Sequence, residues 1–549
     1  MAAGFVPKTF QPDLPLDRLI LRDQPPSPEA VEMDVVFVGG GPAGLSGAIE
    51  LQRLAQKAGR ELNVAVMEKA ESLGEHCLSG AVVNPRAFRE LFPDLNDEDF
   101  PFRGPVAKES VYLLTEKRAL AFPVIPPTMG NHGNHVASIC EIVRWLGEKA
   151  EGLGVNVLTG FPAASLLTEG KKVAGVRTTP SGLDRQGNAG PGAQEATDVT
   201  ARVVALAEGS RGSLSQAWTR WQGIGSPNPQ IFALGVKEIW EIKLPLDRVI
   251  HTMGWPLPSD AFGGTFAYPL QPNVVALGLV VGLDYHGAAF DVHEALQRTK
   301  LHPLFRQYLD GGELVEWGAK TIPEGGWYAV PERRHGDGCL VLGDAAGFVE
   351  VASLKGIHYA MHSGILAART IWDALQKDDV SAQALSGYDR AVDASYIRSD
   401  LWERRNLRLA FKHGFYGGGA RAALMTLTKG AFPGGKISVP ADVEVPRAVR
   451  NDGAPVPLDG KLTIRKLDAV FKSGNKTRDT IPSHLIPKEQ VPPEVADFYA
   501  HLCPAGVYES TPEGLKVNPP NCIDCKATDV LGPRWTPREG GAGPRYRRM

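Results

Sequence analysis

The stretch "MDVVFVGGGPAGLSGAIELQRLA", residues 33–55, runs from a short apolar strand pattern through spaced glycines into a helical pattern. Gly39, Gly41 and Gly44 have the spacing G-x-G-x-x-G, which allows a tight turn, a close approach of backbone to a pyrophosphate, and close packing of helix on strand. The helix N-terminus adds free N–H groups and partial positive charge. The stretch therefore predicts a dinucleotide site in an α/β fold, with a generic glycine-rich turn as the alternative. The loop residues expected at the cofactor are Gly39, Gly41, Pro42, Ala43 and Gly44.

Later segments indicate which dinucleotide is bound. A second apolar strand pattern ends at Glu68, whose carboxylate can accept hydrogen bonds from an adenosine ribose. The stretches "ARVVALAEGSRGSL" (201–214) and "GCLVLGDAAGFV" (338–349) resemble pocket-closing and ribityl-binding segments of flavoproteins such as glutathione reductase and the aromatic hydroxylases. With the glycine loop, these elements predict FAD, bound by a domain assembled from separate segments. Because we find no second credible nucleotide motif, we do not expect NAD(P)H to be the reductant. The further residues expected at FAD are Glu68, Gly209, Arg211, Gly343, Asp344 and Gly356.

Composition sets the class of protein. The 549 residues have a mass of 59.1 kDa, 43% hydrophobic content and a net charge of −3, so the chain is globular and lacks the basic excess of a nucleic-acid-binding protein. The first 33 residues contain no apolar core of a secretory signal. The most apolar run, residues 274–283, has the length of a buried strand. If the protein meets a membrane, we expect it to lie on the surface.

Three of the six cysteines crowd into "HLCPAGVYESTPEGLKVNPPNCIDCKATDV", residues 501–530. Cys503, Cys522 and Cys525 predict a metal or redox site in a reducing compartment. A [4Fe–4S] cluster normally takes four thiolates, so this set is one ligand short. Cys140 and Cys339 lie in apolar patterns and are expected to be buried, while Cys77 is expected beside the flavin.

Several readings of the three thiols stay open. The fourth ligand of a cluster could be water, hydroxide, Thr528 or Asp529, or one iron could be lost to leave a three-iron cluster. His501 could complete a Cys3His zinc site with the three cysteines, because it would share a face with Cys503 in an extended segment. A site that holds no metal and serves for docking is the third possibility.

Longer strings carry a specific resemblance. They include "HCLSGAVVNP" (76–85), "FGGTFAYPL" (262–270), "LKGIHYAMHSGILAA" (354–368), and "CPAGVYE" followed by "NCIDCK". Together they resemble the electron transfer flavoprotein-ubiquinone oxidoreductase family from residue 33 to the end. The resemblance implies a flavoprotein dehydrogenase that takes electrons from reduced electron transfer flavoprotein and delivers them to ubiquinone. The family signature continues C-x2-C-x2-C, and this chain has Thr528 at the last position.

The resemblance also implies a domain plan and fold class. We expect a mixed α/β protein with a discontinuous Rossmann-like FAD domain, an interleaved quinone-binding α+β domain and a C-terminal ferredoxin-like [4Fe–4S] domain. The expected segments are 33–115, 136–215 and 330–400 for FAD; 116–135 and 216–329 for quinone; 401–436 for membrane contact; and 437–549 for the cluster. By resemblance, the backbone at Gly263 and Gly264 approaches the quinone.

The expected membrane surface has a sequence basis of its own. Residues 404–436 carry seven Lys or Arg and no Asp or Glu, a pattern typical of a monotopic patch facing anionic headgroups. A loop at 119–130 could join it, and a basic solvated helix pair is the alternative. The apolar residues expected at this surface are Leu407, Leu409, Phe411, Phe415, Leu424, Met425, Leu427 and Phe432.

No catalytic dyad is expected, because the flavin carries the chemistry and the protein supplies orientation and electrostatics. The helix after "GDAAGF" should tune the flavin, and Glu350, Ile357 and Tyr359 depart there from the family pattern. We expect a monomer at the cytoplasmic face of a bacterial inner membrane, or at the matrix side if mitochondrial. The alternatives are a flavin reductase or hydroxylase of the geranylgeranyl-reductase type, and a cluster-less flavoprotein that serves as a docking adaptor.

Overall fold

A computed structural model describes residues 4–80, 82–449 and 455–549. Its first sheet has nine strands, with parallel strands at the centre and an antiparallel extension on one side. Buried apolar residues such as Val35, Val66 and Val204 make up the carboxyl-terminal halves of the central strands, as expected of a sheet covered on both faces. In spatial order the strands are Asn156–Thr159, Val64–Glu68, Val31–Val38, Asp198–Leu206, Lys172–Thr178, Ala163–Glu169 and Ile20–Arg22, with Cys339–Val341 and His335–Gly336 joined through Asp198–Leu206.

Two long helices, Pro42–Lys57 and Ile357–Gln376, pack against each other over this sheet. Glycines permit the close crossing: a Cβ added at Gly364 would lie 2.1 Å from the carbonyl oxygen of Ala43. The helix that follows the first strand and the helix that follows Asp344 therefore begin side by side, at the same end of the molecule. The other helices of this part are Leu16–Leu19, Arg86–Leu91, Ile139–Glu151, Ser213–Trp221, Ala382–Leu385, Gly387–Asp393 and Tyr396–Glu403.

The second large sheet has seven strands and packs against its own helices, Val292–Leu301 and Pro303–Leu309. The chain enters it earlier than the expected boundary at residue 115. Strand Glu109–Leu114 pairs in parallel with Val249–Gly254, so its hydrogen bonds place it in this sheet and not in the first one. In spatial order the strands are Glu313–Pro323, Phe232–Glu241, Val274–Gly282, Gly263–Gln271, Val249–Gly254, Glu109–Leu114 and Ala119–Ala121.

The C-terminal part packs on the second sheet and shares its hydrophobic core. Its helices are Lys466–Lys472, Pro493–Leu502 and Ala527–Leu531, and its strands pair as Leu485–Ile486 with Arg534–Trp535 and Tyr508–Thr511 with Gly514–Val517. The chain ends inside the protein, where the carbonyl of buried Met549 accepts a hydrogen bond from Ser138. The C-terminal part thus packs on the second sheet and is also bonded, through Met549, to the residue that precedes helix Ile139–Glu151.

Along the chain, a 3-10 helix, Arg408–His413, and an α-helix, Phe415–Leu427, precede the C-terminal part. Among the described residues, no helix combines the length and apolar character needed to cross a membrane. Minor strand pairs join Gly4–Phe5 to Arg447–Ala448, Ser181–Leu183 to Ala189–Gln194, and Val82–Val83 and Phe102–Pro105 to His135–Ala137.

Candidate functional site

A cavity of about 310 Å³ lies beyond the carboxyl ends of the central parallel strands. This is where open α/β sheets bind their ligands. Of the residues expected at FAD, eight line it: Gly39, Gly41, Pro42, Ala43, Glu68, Gly209, Asp344 and Gly356. These eight residues therefore lie together at one cavity, whereas Gly44, Arg211 and Gly343 are not among the residues that line it.

The glycine loop is shaped by backbone contacts. Gly39 has a positive φ of 115°, and an added Cβ would lie 2.3 Å from the carbonyl oxygen of Ala207. A Cβ at Gly44 would lie 2.1 Å from the carbonyl of Gly39, which explains its role in packing the helix on the strand. A Cβ at Gly41 would meet nothing within 4 Å, so this position borders open space at the cavity.

The carboxylate of Glu68 is held in place by backbone groups. It accepts hydrogen bonds from the N–H groups of Gly40 (2.9 Å) and Ala70 (2.8 Å). These bonds aim the side chain across the glycine loop, where it lines the cavity. Glu208 follows strand Asp198–Leu206, and its carboxylate accepts hydrogen bonds from the backbone N–H groups of Leu214 and Ser215. Glu208 also lines the cavity.

The N-terminus of helix Ile357–Gln376 also lies at the cavity, where Gly356 and Ile357 are lining residues. Asp344 lies there with its pKa raised to about 6 by burial, although Lys320 opposes this shift. Two of the expected tuning residues turn away: Glu350 pairs with Arg404, and Tyr359 donates a hydrogen bond to Asp400. Of that set, Ile357 lines the cavity.

Sequence reasoning missed five lysines that line the same cavity: Lys69, Lys237, Lys320, Lys355 and Lys526. Burial lowers the pKa of Lys237 and of Lys355 to about 8. Burial, together with the positive charge of nearby Lys69, lowers the pKa of Lys526 to about 7. Buried cations with depressed pKa values indicate a site built for an anion. The available signal was a lysine inside an apolar strand, as in "FALGVKEIW" and "ELVEWGAKTIP".

Arg211 has a different partner from the one expected. Its side chain forms a salt bridge with Asp529 (Nε to Oδ2 2.8 Å) and donates to the carbonyl of Asp529 (2.7 Å). Arg211 thus joins the first sheet to the C-terminal part, and its own carbonyl accepts a hydrogen bond from Lys526. Arg211 is not among the residues that line the cavity.

The three C-terminal thiols converge in a buried site. Cys503, Cys522 and Cys525 are 4%, 8% and 8% exposed. Burial is the main cause that raises the pKa of Cys525, and the nearby sulfurs of Cys503 and Cys522 raise it further. Burial also raises the pKa of Cys522 to about 12. Tyr508 lies close to all three sulfurs, and its hydroxyl is 3.3 Å from that of Thr528. Thr528 therefore borders the thiol cluster.

One carboxylate organises the loop between the last two cysteines. Asp524 is 1% exposed, pairs with Lys69 and Arg538, and accepts a hydrogen bond from the indole N–H of Trp535 (3.0 Å). Burial alone would raise the pKa of Asp524, but Arg538 and Lys69 hold it well below its usual range. The loop is thus fixed to residue 69, next to Glu68 of the cavity.

Buried His484 lies near Cys522 and Asp524, with the three potential ligand atoms within 4.8 Å of one another. Burial, followed by the positive charge of Arg538, lowers the pKa of His484 well below its usual value. Asp524 is already engaged by two cations, which argues against a separate cation between these residues. We assign this group to the surroundings of the thiol cluster.

The Cys3His zinc arrangement is not supported. The expectation required an extended segment around His501, but this residue lies in helix Pro493–Leu502. Its side chain is about a third exposed and its Nδ1 lies 2.9 Å from the carbonyl oxygen of Asp497 in the preceding turn. Of the other cysteines, Cys77 lines the cavity with a pKa raised to about 12 by burial, while Cys140 and Cys339 are core residues.

Gly263 and Gly264 lie at the start of a strand in the second sheet, close to neighbouring backbone. A Cβ at either position would lie 2.0 Å from a carbonyl oxygen, that of Val280 or Thr252. The sheet itself therefore requires glycine at both. Further along the same strand, Phe266 and Tyr268 stack at 4.9 Å and line the cavity.

Only some of the side chains in the basic apolar segment, residues 404–436, are exposed on the surface. Leu409 and Met425 are 1% and 3% exposed and belong to the core, which corrects the expectation that they face a membrane. Arg404, Arg405 and Arg408 are occupied inside the protein. Within residues 119–130 and 404–436, the large apolar side chains that are exposed are Leu120, Phe122 and Val124 in the loop region and Tyr416, Leu424 and Leu427 on the helix.

Comparison with known families gives two matches. Residues 232–322 match the model "ETF-QO, ubiquinone-binding", and residues 460–547 match "Electron transfer flavoprotein-ubiquinone oxidoreductase, 4Fe-4S". The first match contains Gly263 and Gly264, and the second contains the three thiols. In solved structures, the chain is similar to a geranylgeranyl bacteriochlorophyll reductase-like protein from Thermoplasma acidophilum, with TM-score 0.58, 19% identity and coverage of 73% of this chain and 96% of that one. This likeness shows the fold.

Curated relatives align over nearly the whole chain. The mitochondrial electron transfer flavoprotein-ubiquinone oxidoreductase of rice is 38% identical over 94% of this chain and 93% of its own length. The protein of that name from Pseudomonas aeruginosa is 37% identical over 95% of this chain and 100% of its own length. The human mitochondrial one is 35% identical over 95% and 90%. The chain therefore belongs to the electron transfer flavoprotein-ubiquinone oxidoreductase family.

Proposed function

We propose that this protein takes electrons from reduced electron transfer flavoprotein and passes them to ubiquinone at a membrane surface. FAD and a [4Fe–4S] cluster are the family's cofactors. The observation that carries the proposal is that one cavity joins their sites: it is lined by the glycine loop and also by Lys526 and Trp535 beside the thiols. Electrons can then move between neighbouring centres inside one chain.

The cavity residues fit FAD. Gly39 and Gly41 leave room for a pyrophosphate against the N-terminus of helix Pro42–Lys57, and helix Ile357–Gln376 offers a second N-terminus to the flavin. FAD, when bound, supplies the redox chemistry. The five cavity lysines balance the negative charge of the diphosphate and of the reduced ring. Phe266 and Tyr268 exclude water on the side facing the second sheet.

The thiol site offers cysteine ligands for three of the four irons of a [4Fe–4S] cluster. Cys503, Cys522 and Cys525 are buried, close to one another, and surrounded by the C-terminal core. Protonated thiols here are disfavoured once a metal is bound, because thiolates are the ligands of iron in these centres. The loop is preorganised by Asp524 and Asp529, whose ion pairs hold it against the FAD side.

Ubiquinone is proposed to bind near Gly263 and Gly264, inside the region matched to the ubiquinone-binding model. Strand Gly263–Gln271 connects this position to the flavin cavity, because Phe266 and Tyr268 on it line that cavity. Glycine at the two positions is required by the sheet, so the quinone contact would be to their backbone groups. A quinone there would lie within one strand length of the flavin.

The membrane surface is proposed to consist of the exposed apolar side chains at 120–124 and on helix Phe415–Leu427, flanked by exposed Lys412, Arg421 and Lys429. Apolar side chains beside cations are typical of monotopic binding to anionic lipid. In a bacterium this would be the cytoplasmic face of the inner membrane, and in a mitochondrion the matrix side. The lipid tail of the quinone could then stay in the bilayer.

The function is tested by a steady-state assay with purified protein, reduced electron transfer flavoprotein and a short-chain ubiquinone. We expect quinone reduction that depends on the flavoprotein and is not supported by NADPH. NADPH-driven turnover without the flavoprotein would favour the reductase or hydroxylase alternative. Tight binding of the flavoprotein without any quinone reduction would favour the docking adaptor.

The membrane surface is tested by sedimentation with vesicles containing anionic phospholipid. Leu427→Asp should reduce the bound fraction several-fold, because an 82% exposed side chain would lose its place in the lipid boundary. Phe471→Asp is the matched control, since Phe471 is also 82% exposed but lies on helix Lys466–Lys472. Equal loss in both variants, or in neither, would contradict the proposed surface.

A further inference from the structure

The thiol site has a hydroxyl where a fourth thiolate would stand. Thr528 lies in helix Ala527–Leu531 and is 8% exposed. Its Oγ1 is 3.3 Å from the hydroxyl of Tyr508, which is 2% exposed and close to all three sulfurs. A neutral hydroxyl is a poor substitute for a thiolate as an iron ligand. One corner of a four-iron cluster would therefore lack a strong ligand from Thr528.

The neighbouring carboxylate of Asp529 is not free to replace it. One of its oxygens pairs with Arg211 at 2.8 Å, and the other accepts the backbone N–H of Trp535 at 3.1 Å. Burial would raise the pKa of Asp529, but Arg211 and Arg534 keep it below its usual range. Moving this group onto iron would leave Arg211 without its partner at the domain junction, which is a costly exchange in a buried site.

The remaining candidates are Asp524, His484 and His501. Asp524 is held by Lys69, Arg538 and Trp535. Neither ring nitrogen of buried His484 has a hydrogen-bond partner among the described residues, but one of them lies within 4.8 Å of the Cys522 sulfur and the Asp524 carboxylate, so the imidazole lies on the Cys522 side of the site. His501 is bound to its own helix and is partly exposed.

We propose that Thr528 leaves the fourth iron of the cluster without a protein ligand, so that this iron is an exchangeable site for hydroxide or a small thiolate from solution. The hydroxyls of Thr528 and Tyr508 border that site and can hydrogen-bond the external ligand. The inference rests on the proposed cluster. It adds that this cluster gives up and takes back one iron.

The exchange can be written as a balanced step with ferricyanide as the one-electron oxidant. Ferricyanide takes one electron from [4Fe–4S]2+, and the resulting [4Fe–4S]3+ releases Fe2+ to leave [3Fe–4S]+. In the reverse direction, one electron from dithionite and one Fe2+ restore [4Fe–4S]2+. A cluster with four thiolates resists this loss because every iron is held by the protein.

The test compares the wild-type protein with Thr528→Cys and Thr528→Ala, each reconstituted with iron and sulfide under anaerobic conditions. Each protein receives one equivalent of ferricyanide and is followed by EPR and by iron analysis. In the wild type we expect an EPR signal of the three-iron cluster of about one spin per protein, and release of one iron. Thr528→Cys should suppress that signal at least several-fold, and Thr528→Ala should behave as the wild type does.

Other outcomes separate the possibilities. Four irons retained by the wild type after ferricyanide would overturn the inference. If Thr528→Ala loses the iron far more readily than the wild type, the hydroxyl itself is the ligand and the proposal fails. Zinc, or no metal, in place of iron would overturn the proposed cluster as well. The flavin absorbance of each variant reports folding, so a variant that merely misfolds is recognised by the loss of its yellow colour.

Discussion

The flavin cavity and the thiol loop share Lys526 and Trp535, yet they are built in different ways. The cavity is shaped by backbone, since its glycines leave space and direct two helix N-termini inward. The thiol loop is shaped by side chains, with three sulfurs held by the ion pairs of Asp524 and Asp529. A site made of backbone survives most side-chain changes, whereas a site made of ligands is altered by one residue, as Thr528 illustrates.

The largest combined effect, on stability and on flavin content together, is expected from Gly39→Ala. The position has φ of 115° and a Cβ there would lie 2.3 Å from the carbonyl of Ala207, so the strand ending would have to move. We expect a loss of about 3 kcal/mol or more in the free energy of unfolding and loss of bound flavin. Thermal unfolding and the flavin-to-protein absorbance ratio measure both.

Gly59→Ala is the control for backbone strain alone. Gly59 has φ of 64°, and a Cβ would meet nothing within 4 Å. We expect a cost of about 1 kcal/mol with full flavin content. If Gly39→Ala were no worse than Gly59→Ala, the description of the cavity as a backbone-shaped site would be wrong.

Asp524→Asn should act on the thiol loop. The change leaves Lys69 and Arg538 without a carboxylate in a buried site, for which we expect about 3–5 kcal/mol of destabilisation. Iron content should fall before flavin content does. The control is Asp479→Asn, an exposed residue of the same C-terminal part, with an expected change within about 0.5 kcal/mol. Flavin lost ahead of iron would show that the two sites do not differ as described.

Lys237→Met should give an effect of the opposite sign in flavin-free protein, a stabilisation that fades as the pH rises. Lys237 is fully buried and its folded-state pKa is about 8, lowered by burial from about 10.5, so below pH 8 its charge destabilises the folded state by about 3 kcal/mol. Above pH 8 the folded lysine loses its proton while the unfolded one keeps it, and that cost shrinks. The variant should therefore exceed the wild type in stability below pH 8, with the difference vanishing toward pH 10.5.

The measurement is the free energy of unfolding as a function of pH. Lys57→Met, at the exposed end of helix Pro42–Lys57, is the matched control and should show no such trend. A difference between wild type and Lys237→Met that stays constant from pH 7 to about pH 10 would contradict the buried cation.

The sequence could predict features made by residues that are neighbours along the chain, but not contacts between residues far apart in it. The spacing of Gly39, Gly41 and Gly44 lies within six residues of the chain, so the sequence shows it directly, and the mixed α/β class was confirmed. Lys237 and Lys320 reach the cavity through pairing within the second sheet, which no local pattern shows. Arg211 was expected at FAD, but its partner Asp529 lies 318 residues later in the chain.

The same limit applies to the surface of the protein. A basic apolar stretch can be read from the sequence, but which of its residues face inward depends on the elements packed against it. Leu409 and Met425 became core residues, while Tyr416, which was not expected, is 78% exposed. His501 illustrates the effect of local structure, because a helix replaced the extended segment that a zinc site needed.

The most direct test of the central claim is an anaerobic rapid-mixing experiment that follows the flavin absorbance of this protein. Mixed with reduced electron transfer flavoprotein, the flavin should bleach, and addition of a short-chain ubiquinone should restore its colour. A flavin that stays oxidised beside the reduced donor, or that once reduced is not reoxidised by the quinone, would contradict the account.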